Sequence, residues 1–596
     1  MSTLKASMTI TILIGSLGQR ATLQALILKV LNDLTAPEVM AKFIPNEFVK
    51  ELARETNGYK HRSVDLGLAD EDEGDSDQGL PREELRELYG LKWQPHSMGS
   101  MFRYIGMNIG MTLEPKHRLQ EHYRTTQIGC LMPDSYWEVM SRARFWQTRK
   151  YFYINAAGPD DMVDGKLKDK WHKVRPMISL CQQTFKQNWN PSQHMSVDET
   201  MFPYYGRFCP ARAYMPNKPD RFGVKTWCLN DCEQAYLYAF HPYGGTGDRF
   251  ADEPDNIFDE FNLGERVVIN LARQAELPKG THLFTDNYFT TPAGALFMLE
   301  MGLYLTGTSK AMTANFPYQE LHFFDFNKSK PYSSKTDRGF YTWACDRGVG
   351  ITCATWLDNK VVNLISNFFG PISGEVLRGS QGDHGYQRYA YHSPLMGVVY
   401  NQKMATDTFD QLRLSLHYSI ERRMSFSKWW VKMFWALWDC AMTNAAICWM
   451  SVDPKRTHAG FLKEFHMAYI HNSLDQVNSW KYSENSRMTP VKRRIRKHTM
   501  TSNGKNGPKQ KIQKTLGFDD HKPIEISKSS IHSGMQVTRA RKRCQVCLVD
   551  GRSEIGTYYC CVECGNIPLC APPAWQTKVQ HGRTCWETWH ENKAAF

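Results

Sequence analysis

The hydrophobic period of this chain changes near residue 194 and again near 407, and that change limits the fold more than any composition figure. Between 82 and 190, apolar residues recur at three- and four-residue intervals in EELRELYG, MFRYIGMNIGM, SYWEVMSRARFWQTRKYFYI and DKWHKVRPMISLCQQTFKQNW. That is the period of helices that bury one face. From 194 onward, short β-branched and aromatic runs are divided by turn residues. HMSVDETMF, FGVKTWCLN and QAYLYAFHPY read as strands, ERVVINLARQA as a helix, HLFTDNYF as a strand, TPAGALFMLEMG as a helix and YLTGTS as a strand. A β-β-β-α-β-α-β order predicts an α/β domain with a mixed sheet. Residues 309–400 read as an inserted, mostly β and loop region, and helical signals return from 407 to about 475.

Charge is concentrated rather than spread. The 73 Lys+Arg against 61 Asp+Glu give a formal net charge of +12. Residues 487–543 alone hold 16 basic and 3 acidic residues, a net of +13, so the rest of the chain is close to neutral. A segment of that kind meets nucleic acid or an anionic surface. Within it, KRRIRK (Lys492, Arg493, Arg494, Arg496 and Lys497) and RARKR (539–543) resemble nuclear-import patches, which predicts the nucleus. A solvated tether accounts for the same composition.

No membrane partner is expected. MTITILIGSLG (8–18) is too short to cross a bilayer. The apolar stretch 431–450 contains Lys432, Asp439 and Asn444 and reads as a buried amphipathic helix, with Trp429, Trp430, Trp435 and Trp438 as core. An apolar content of 42% excludes disorder along the whole chain.

The sixteen cysteines divide sharply, nine scattered from Cys130 to Cys448 and seven within 544–585. Without a convincing secretory signal, the dense group points to metal rather than disulfides. Cys544, Cys547, Cys561, Cys564, Cys570, His581, Cys585 and His590 are eight candidate ligands, enough for two tetrahedral Zn²⁺ ions. Cys560 competes with Cys561, and spacing alone leaves the pairing open. Residues 544–596 have little core, so zinc would supply their folding energy.

Three aspartates stand where an α/β sheet serves phosphoryl chemistry. Asp198 interrupts the strand SVDET, Asp286 ends the strand in LFTDNYF, and Asp407 opens the helix TDTFDQL, with Asp410 one turn on. They are 88 and 121 residues apart, so only the fold can assemble them. Two Mg²⁺ ions held by such carboxylates stabilise the attacking and leaving oxygens of an in-line displacement. The bland readings are a helix-dipole carboxylate for Asp407 and a turn cap for Asp286. Lys218, Arg221 and Lys225 either reach DNA phosphates or form surface ion pairs.

Five ordered segments carry a family resemblance: KWHKVRPMISLCQQTFKQNWNPSQHMSVDETM (170–201), YMPNKPDRFGVKTWCL (214–229), LFTDNYFTT (283–291), WLDNKVVNLIS (356–366) and DTFDQLRL (407–414). The sequence resembles the piggyBac transposase family over residues 85–480, with the cysteine-rich end as a second match. The resemblance implies an RNase H-like catalytic core split by an insertion. It also implies helical dimerisation and DNA-binding regions on both sides, and a zinc module that binds transposon ends. The implied partition begins with an N-terminal region and acidic linker (1–80), a first helical dimerisation and DNA-binding region (81–194) and the first stretch of the core (195–308). The insertion (309–394), the second stretch of the core (395–416) and a second helical region (417–485) follow. A basic linker (486–543) and a zinc domain (544–596) complete it.

The resemblance further implies a DDD-type, Mg²⁺-dependent, cut-and-paste transposase. Asp198, Asp286 and Asp407 would be catalytic, Asp410 an auxiliary metal carboxylate, and a homodimer would act on double-stranded transposon ends and TTAA-like targets. One departure stands out: YNQKMATDTFDQ is one residue shorter than the family pattern before Asp407 and lacks its glycine. The alternative is therefore a domesticated or inactive nuclear DNA-binding protein on the same scaffold.

Overall fold

A computed structural model of the chain describes residues 33–65, 92–127, 134–164, 166–216, 218–310, 312–318, 320–321, 338–382, 385–415 and 418–471, and short strands between 523 and 569. The chain divides into two units, Met1–Ser486 and Arg487–Phe596.

In the first unit, helices α1 (Ala36–Phe43), α2 (Asn46–Asp65), α3 (Met98–Leu113), α4 (Arg142–Tyr151) and α5 (Arg175–Gln187) precede the sheet. Their starts follow local chemistry. Thr35 and Glu38 form a capping box on α1, and the Ser97 and Ser141 side chains accept the N–H groups of Ser100 and Arg144 to cap α3 and α4. The strands are β1 (His194–Pro203), β2 (Arg212–Tyr214), β3 (Phe222–Asp231), β4 (Leu237–Pro242), β5 (His282–Thr285), β6 (Tyr304–Ser309), β7 (Tyr341–Asp346), β8 (Ile351–Leu357) and β9 (Val361–Ser366). Helix α6 (Leu263–Gln274) joins β4 to β5, and α7 (Pro292–Glu300) joins β5 to β6.

Among the described residues these strands form one mixed sheet in the order β2-β3-β1-β5-β6-β9-β8-β7, with β4 also on β3. Neighbours β1, β5 and β6 run parallel, and the other pairs are antiparallel. The strand and helix order expected from 194 to 309 is observed, with two short additions, the strand β2 between the first two expected strands and a helix at Asp255–Glu260 before α6. Strands β7, β8 and β9, from the region read as an insertion, extend the same sheet through β9 on β6. A hairpin, β10 (Ser373–Gly382) with β11 (Gly385–Pro394), follows them.

The chain then returns through α8 (Leu395–Lys403), α9 (Thr406–Arg413), α10 (Trp429–Met450) and α11 (His458–His471). Helix α10 departs from the amphipathic expectation, because it is buried on nearly every side, Asp439 and Asn444 included. Its tryptophans are core: Trp435 stacks on Phe152 at 5.9 Å and Trp438 packs against Phe434 at 5.7 Å. Its polar residues Asp439 and Asn444 are satisfied internally. Asn444 accepts from the Leu237 N–H at 3.0 Å and donates to the Leu237 carbonyl at 2.8 Å, which pins α10 to β4. Asp439 accepts from Ser419 Oγ and the Ile420 and Glu421 N–H groups at 2.8–3.1 Å. Buried polar groups persist when paired in this way. No helix among the described residues is long and apolar enough to cross a membrane.

In the second unit, Pro523–Glu525, Tyr559–Cys561 and Ile567–Leu569 form a three-stranded antiparallel sheet, and Lys542–Arg543 pairs with Gly556–Thr557. Of the candidate zinc ligands, Cys561 sits on one of these strands. Cys544, Cys547, Cys564, Cys570, His581, Cys585 and His590 lie outside the described residues, as does the basic run 492–497.

Candidate active site

The parallel pairing of β1 and β5 decides where two of the aspartates go. Val197 lies opposite Thr285 in register. The next residue on each chain is an aspartate, Asp198 and Asp286, so both carboxylates leave neighbouring strands that are about 4.8 Å apart. Asp286 ends its strand in a turn: its Oδ1 accepts from the Tyr288 N–H at 2.9 Å and its carbonyl from Thr290 Oγ1 at 2.8 Å. It is a turn residue, but the cap of α7 is Thr291, whose hydroxyl accepts from the Gly294 N–H.

The third aspartate arrives on α9, which two hydrogen bonds lay across β1. Side chains two apart on a strand share a face, and Ser196, Asp198 and Thr200 are such a set. The Ala405 N–H donates to Ser196 Oγ at 3.1 Å, and Thr200 Oγ1 donates to Asp410 Oδ2 at 2.6 Å. These contacts bracket Asp198, and the first turn of α9, carrying an exposed Asp407, lies between them. Asp410 has a different set of partners from the Asp198–Asp286 pair. Its Oδ1 takes Arg413 Nη2 and Nε at 3.1 and 3.2 Å, so it ties α9 to β1.

The electrostatics confirm that the carboxylates feel one another. Burial, then the charges of Glu199 and Asp286, push the Asp198 carboxyl up to about 7. Burial raises Asp286 as well, with Glu199 adding to it. The Tyr400 hydroxyl, on α8, is pushed up to about 12 by burial and by the charges of Asp286, Asp198 and Asp407 together. Burial works against the Lys218 charge, but Glu199, Asp198 and Asp407 outweigh it and raise its pKa.

Of the two readings of the basic residues, ion pairing describes Lys218 and Lys225. Both reach Glu199, at 3.3 and 3.8 Å. Lys225 also lies over the rings of Trp227 and Tyr288, at 4.0 and 4.8 Å. Arg221 is exposed.

Glu199, Thr200, Arg413 and Tyr400 are site residues that sequence reasoning missed. The acidic doublet Asp198–Glu199 in a strand was the available signal for Glu199. Asp407, Asp410 and Lys218 border a cavity of about 950 Å³ together with Tyr205, Arg207 and Arg422.

Burial first, and then the nearby charge of Glu199, disfavours the ionised forms of Asp198 and Asp286, and a divalent cation among their hard oxygens would offset both. Among the described residues, however, no group of three His, Cys, Asp or Glu side chains stands close enough to hold a metal ion.

Comparison with known proteins now bears on the geometry. The human PiggyBac transposable element-derived protein 3 is 27% identical over 313 residues, covering 48% of this chain and 50% of that protein. The human PiggyBac transposable element-derived protein 2 is 25% identical over 385 residues, 60% of each. A family profile described as Transposase IS4 matches residues 35–446. The chain belongs to the piggyBac transposase family.

The family resemblance read from the five motifs is thereby borne out. The fold of this piggyBac-family chain resembles that of a piggyBac transposase solved by cryo-EM in a synaptic complex with hairpin DNA. The TM-score is 0.53 at 19% identity, over 74% of this chain and 81% of that one. This family member spans about half to three-fifths of the length of the curated relatives.

Proposed function

We propose that the protein is a DDD-type DNA transposase that cuts phosphodiester bonds at transposon ends and transfers the freed 3′-OH to TTAA-like targets. It acts in the nucleus as a homodimer on double-stranded DNA. The observation that carries this reading is the pair Asp198, within β1, and Asp286, just past the end of the adjacent parallel strand β5, with α9 laid across β1 on the Asp198 face. In this reading the sheet is the RNase H-like core.

Asp198, Asp286 and Asp407 would hold two Mg²⁺ ions once Asp407 is drawn toward the other two, and Asp410 would act from behind through the placement of α9. When bound, the ions supply charge neutralisation for the attacking and leaving oxygens. The chain itself holds the carboxylates in register, and Glu199 keeps Lys218 and Lys225 beside them. Tyr400 offers a hydroxyl that remains protonated at neutral pH and can donate to a phosphate oxygen or to the attacking water. Such positioning and charge complementarity are the protein's main contribution to phosphoryl transfer. In the same reading the cysteine-rich end holds two Zn²⁺ ions and selects the DNA, and residues 492–497 direct import.

An excision assay with the element's own flanking ends tests this. Asp198→Asn and Asp286→Asn are expected to abolish strand cleavage and to leave end binding in place. Cleavage by Asp198→Asn at near the wild-type rate would sink the assignment. The shortened run before Asp407, together with its exposed side chain, favours a second reading: a DNA-binding family member that no longer cuts. Wild-type protein that binds ends without excising them selects that reading.

A further inference from the structure

A second cavity, of about 360 Å³, lies beside the one that Asp407 borders. Its walls come from two segments about 300 residues apart in sequence, Lys116, His117 and Arg118 after α3, and Arg422 and Arg423 on the short helix Ile420–Arg423. Among the described residues no carboxylate lines it. Behind the lining, Asp134 stands 3.4 Å from Lys116 Nζ and 3.6 Å from His122 Nδ1. Four permanent cations therefore line one space. His122 adds no charge, because burial, above all, pushes its pKa down to about 4.

The wall that carries Arg422 and Arg423 is held in place. The helix Ile420–Arg423 is held by Ser419, which caps it, and by Asp439, which takes the Ile420 and Glu421 N–H groups. Arg422 is further fixed by a 2.8 Å bond from Nη1 to the Leu414 carbonyl. Like charges gathered around one space repel unless an anion joins them. Guanidinium groups match phosphate oxygens in geometry as well as charge. Arg422 and Ser425 line both this cavity and the one bordered by Asp407 and Asp410, so the two are adjacent.

We propose that this cavity seats a backbone phosphate of the DNA strand that passes the adjacent cavity bordered by Asp407 and Asp410, with Lys116, Arg118, Arg422 and Arg423 supplying the counter-charge. The inference rests on the DNA-processing reading above and deepens it. The site reads no base. It fixes where the strand lies relative to Asp198 and Asp286, as phosphate contacts do.

The test uses the full chain and a blunt duplex of arbitrary sequence, with affinity measured by fluorescence anisotropy across a salt series. The log–log salt slope counts phosphates neutralised, at about 0.9 each, so Arg118→Gln with Arg423→Gln, which removes half the counter-charge on this one phosphate, is expected to lower it by about 0.9. Both side chains are exposed, and an unchanged melting temperature verifies folding. The basic linker contributes equally to wild type and variant, so the difference isolates the cavity. A wild-type slope retained by the double variant overturns the proposal and leaves the DNA reading standing. Failure of the wild type to bind any duplex overturns the reading itself. Inorganic pyrophosphate, titrated by calorimetry, separates the other source of the same chemistry. Pyrophosphate binding lost in the variant while the DNA slope is unchanged assigns the cavity to a free anion and overturns the proposal.

Discussion

Arg413 is the residue whose loss most directly tests how the third aspartate is held. Its side chain is fully buried, as is that of Glu421, with which it pairs through Nη1. Nη2 reaches Asp410 Oδ1 at 3.1 Å and Thr200 Oγ1 at 3.3 Å, and the guanidinium lies 5.0 Å over the ring of Phe202. One cation thus joins α9, β1 and the helix Ile420–Arg423. Arg413→Met keeps most of the volume and removes the charge, which leaves the Glu421 carboxylate buried and without its main partner.

Breaking a buried pair from one side costs about 3–5 kcal/mol. That is a fifth or more of a typical total of about 5–15 kcal/mol. Removing both charges, in Arg413→Met with Glu421→Gln, should recover most of the loss, with a coupling energy of about 2 kcal/mol or more. Urea unfolding followed by tryptophan fluorescence measures it, since Trp435 and Trp438 are core residues of the same unit. The Arg413→Met protein should also cleave DNA more weakly than its end binding predicts, because α9 loses one of its ties to β1. A loss below about 1 kcal/mol, or a double variant no more stable than the single, refutes the reasoning.

Two further outcomes follow from the site. In the metal-free protein, Asp198 titrates about 7 when folded against 3.8 as its ordinary value, so the folded state binds the proton more tightly. Its contribution to stability is complete below the ordinary value and is lost as pH rises through about 7. Melting temperature should therefore fall across that window, more in wild type than in Asp198→Asn, and an equal fall in both rejects the assignment. Gly307 faces Thr285 in the β5–β6 pairing, and a Cβ there would stand 2.2 Å from Thr290 Oγ1 and 2.3 Å from the Thr285 carbonyl. Gly307→Ala should cost about 1–3 kcal/mol by overpacking and displace the adjoining Asp286. Denaturant unfolding alongside the cleavage assay checks both effects.

Much of the fold is legible in the sequence because periodicity is local. The strand and helix order from β1 to β6 follows from runs whose apolar spacing and turn residues need no distant partner. The helix at 431–450 is legible as a helix, but its burial on nearly every side is not. Its Asp439 and Asn444 suggest a wet face, whereas their partners, Ser419, Ile420, Glu421 and Leu237, come from elsewhere in the chain. Candidate carboxylates can be picked out one by one, but their different environments cannot.

By itself, then, the sequence determined the α/β class, the placement of Asp198 and Asp286 at strand positions, the family, and the concentration of charge in residues 487–543. Tertiary structure alone decided that Val197 faces Thr285, which sets those two aspartates side by side, and that Asp410 is bound to Thr200 and Arg413. It also decided that Lys116 and Arg118 meet Arg422 and Arg423 around one cavity. The physical reason is range. Propensity and periodicity act over a few neighbouring residues, whereas burial, pairing and repulsion between charges depend on which distant segments the packed chain brings together.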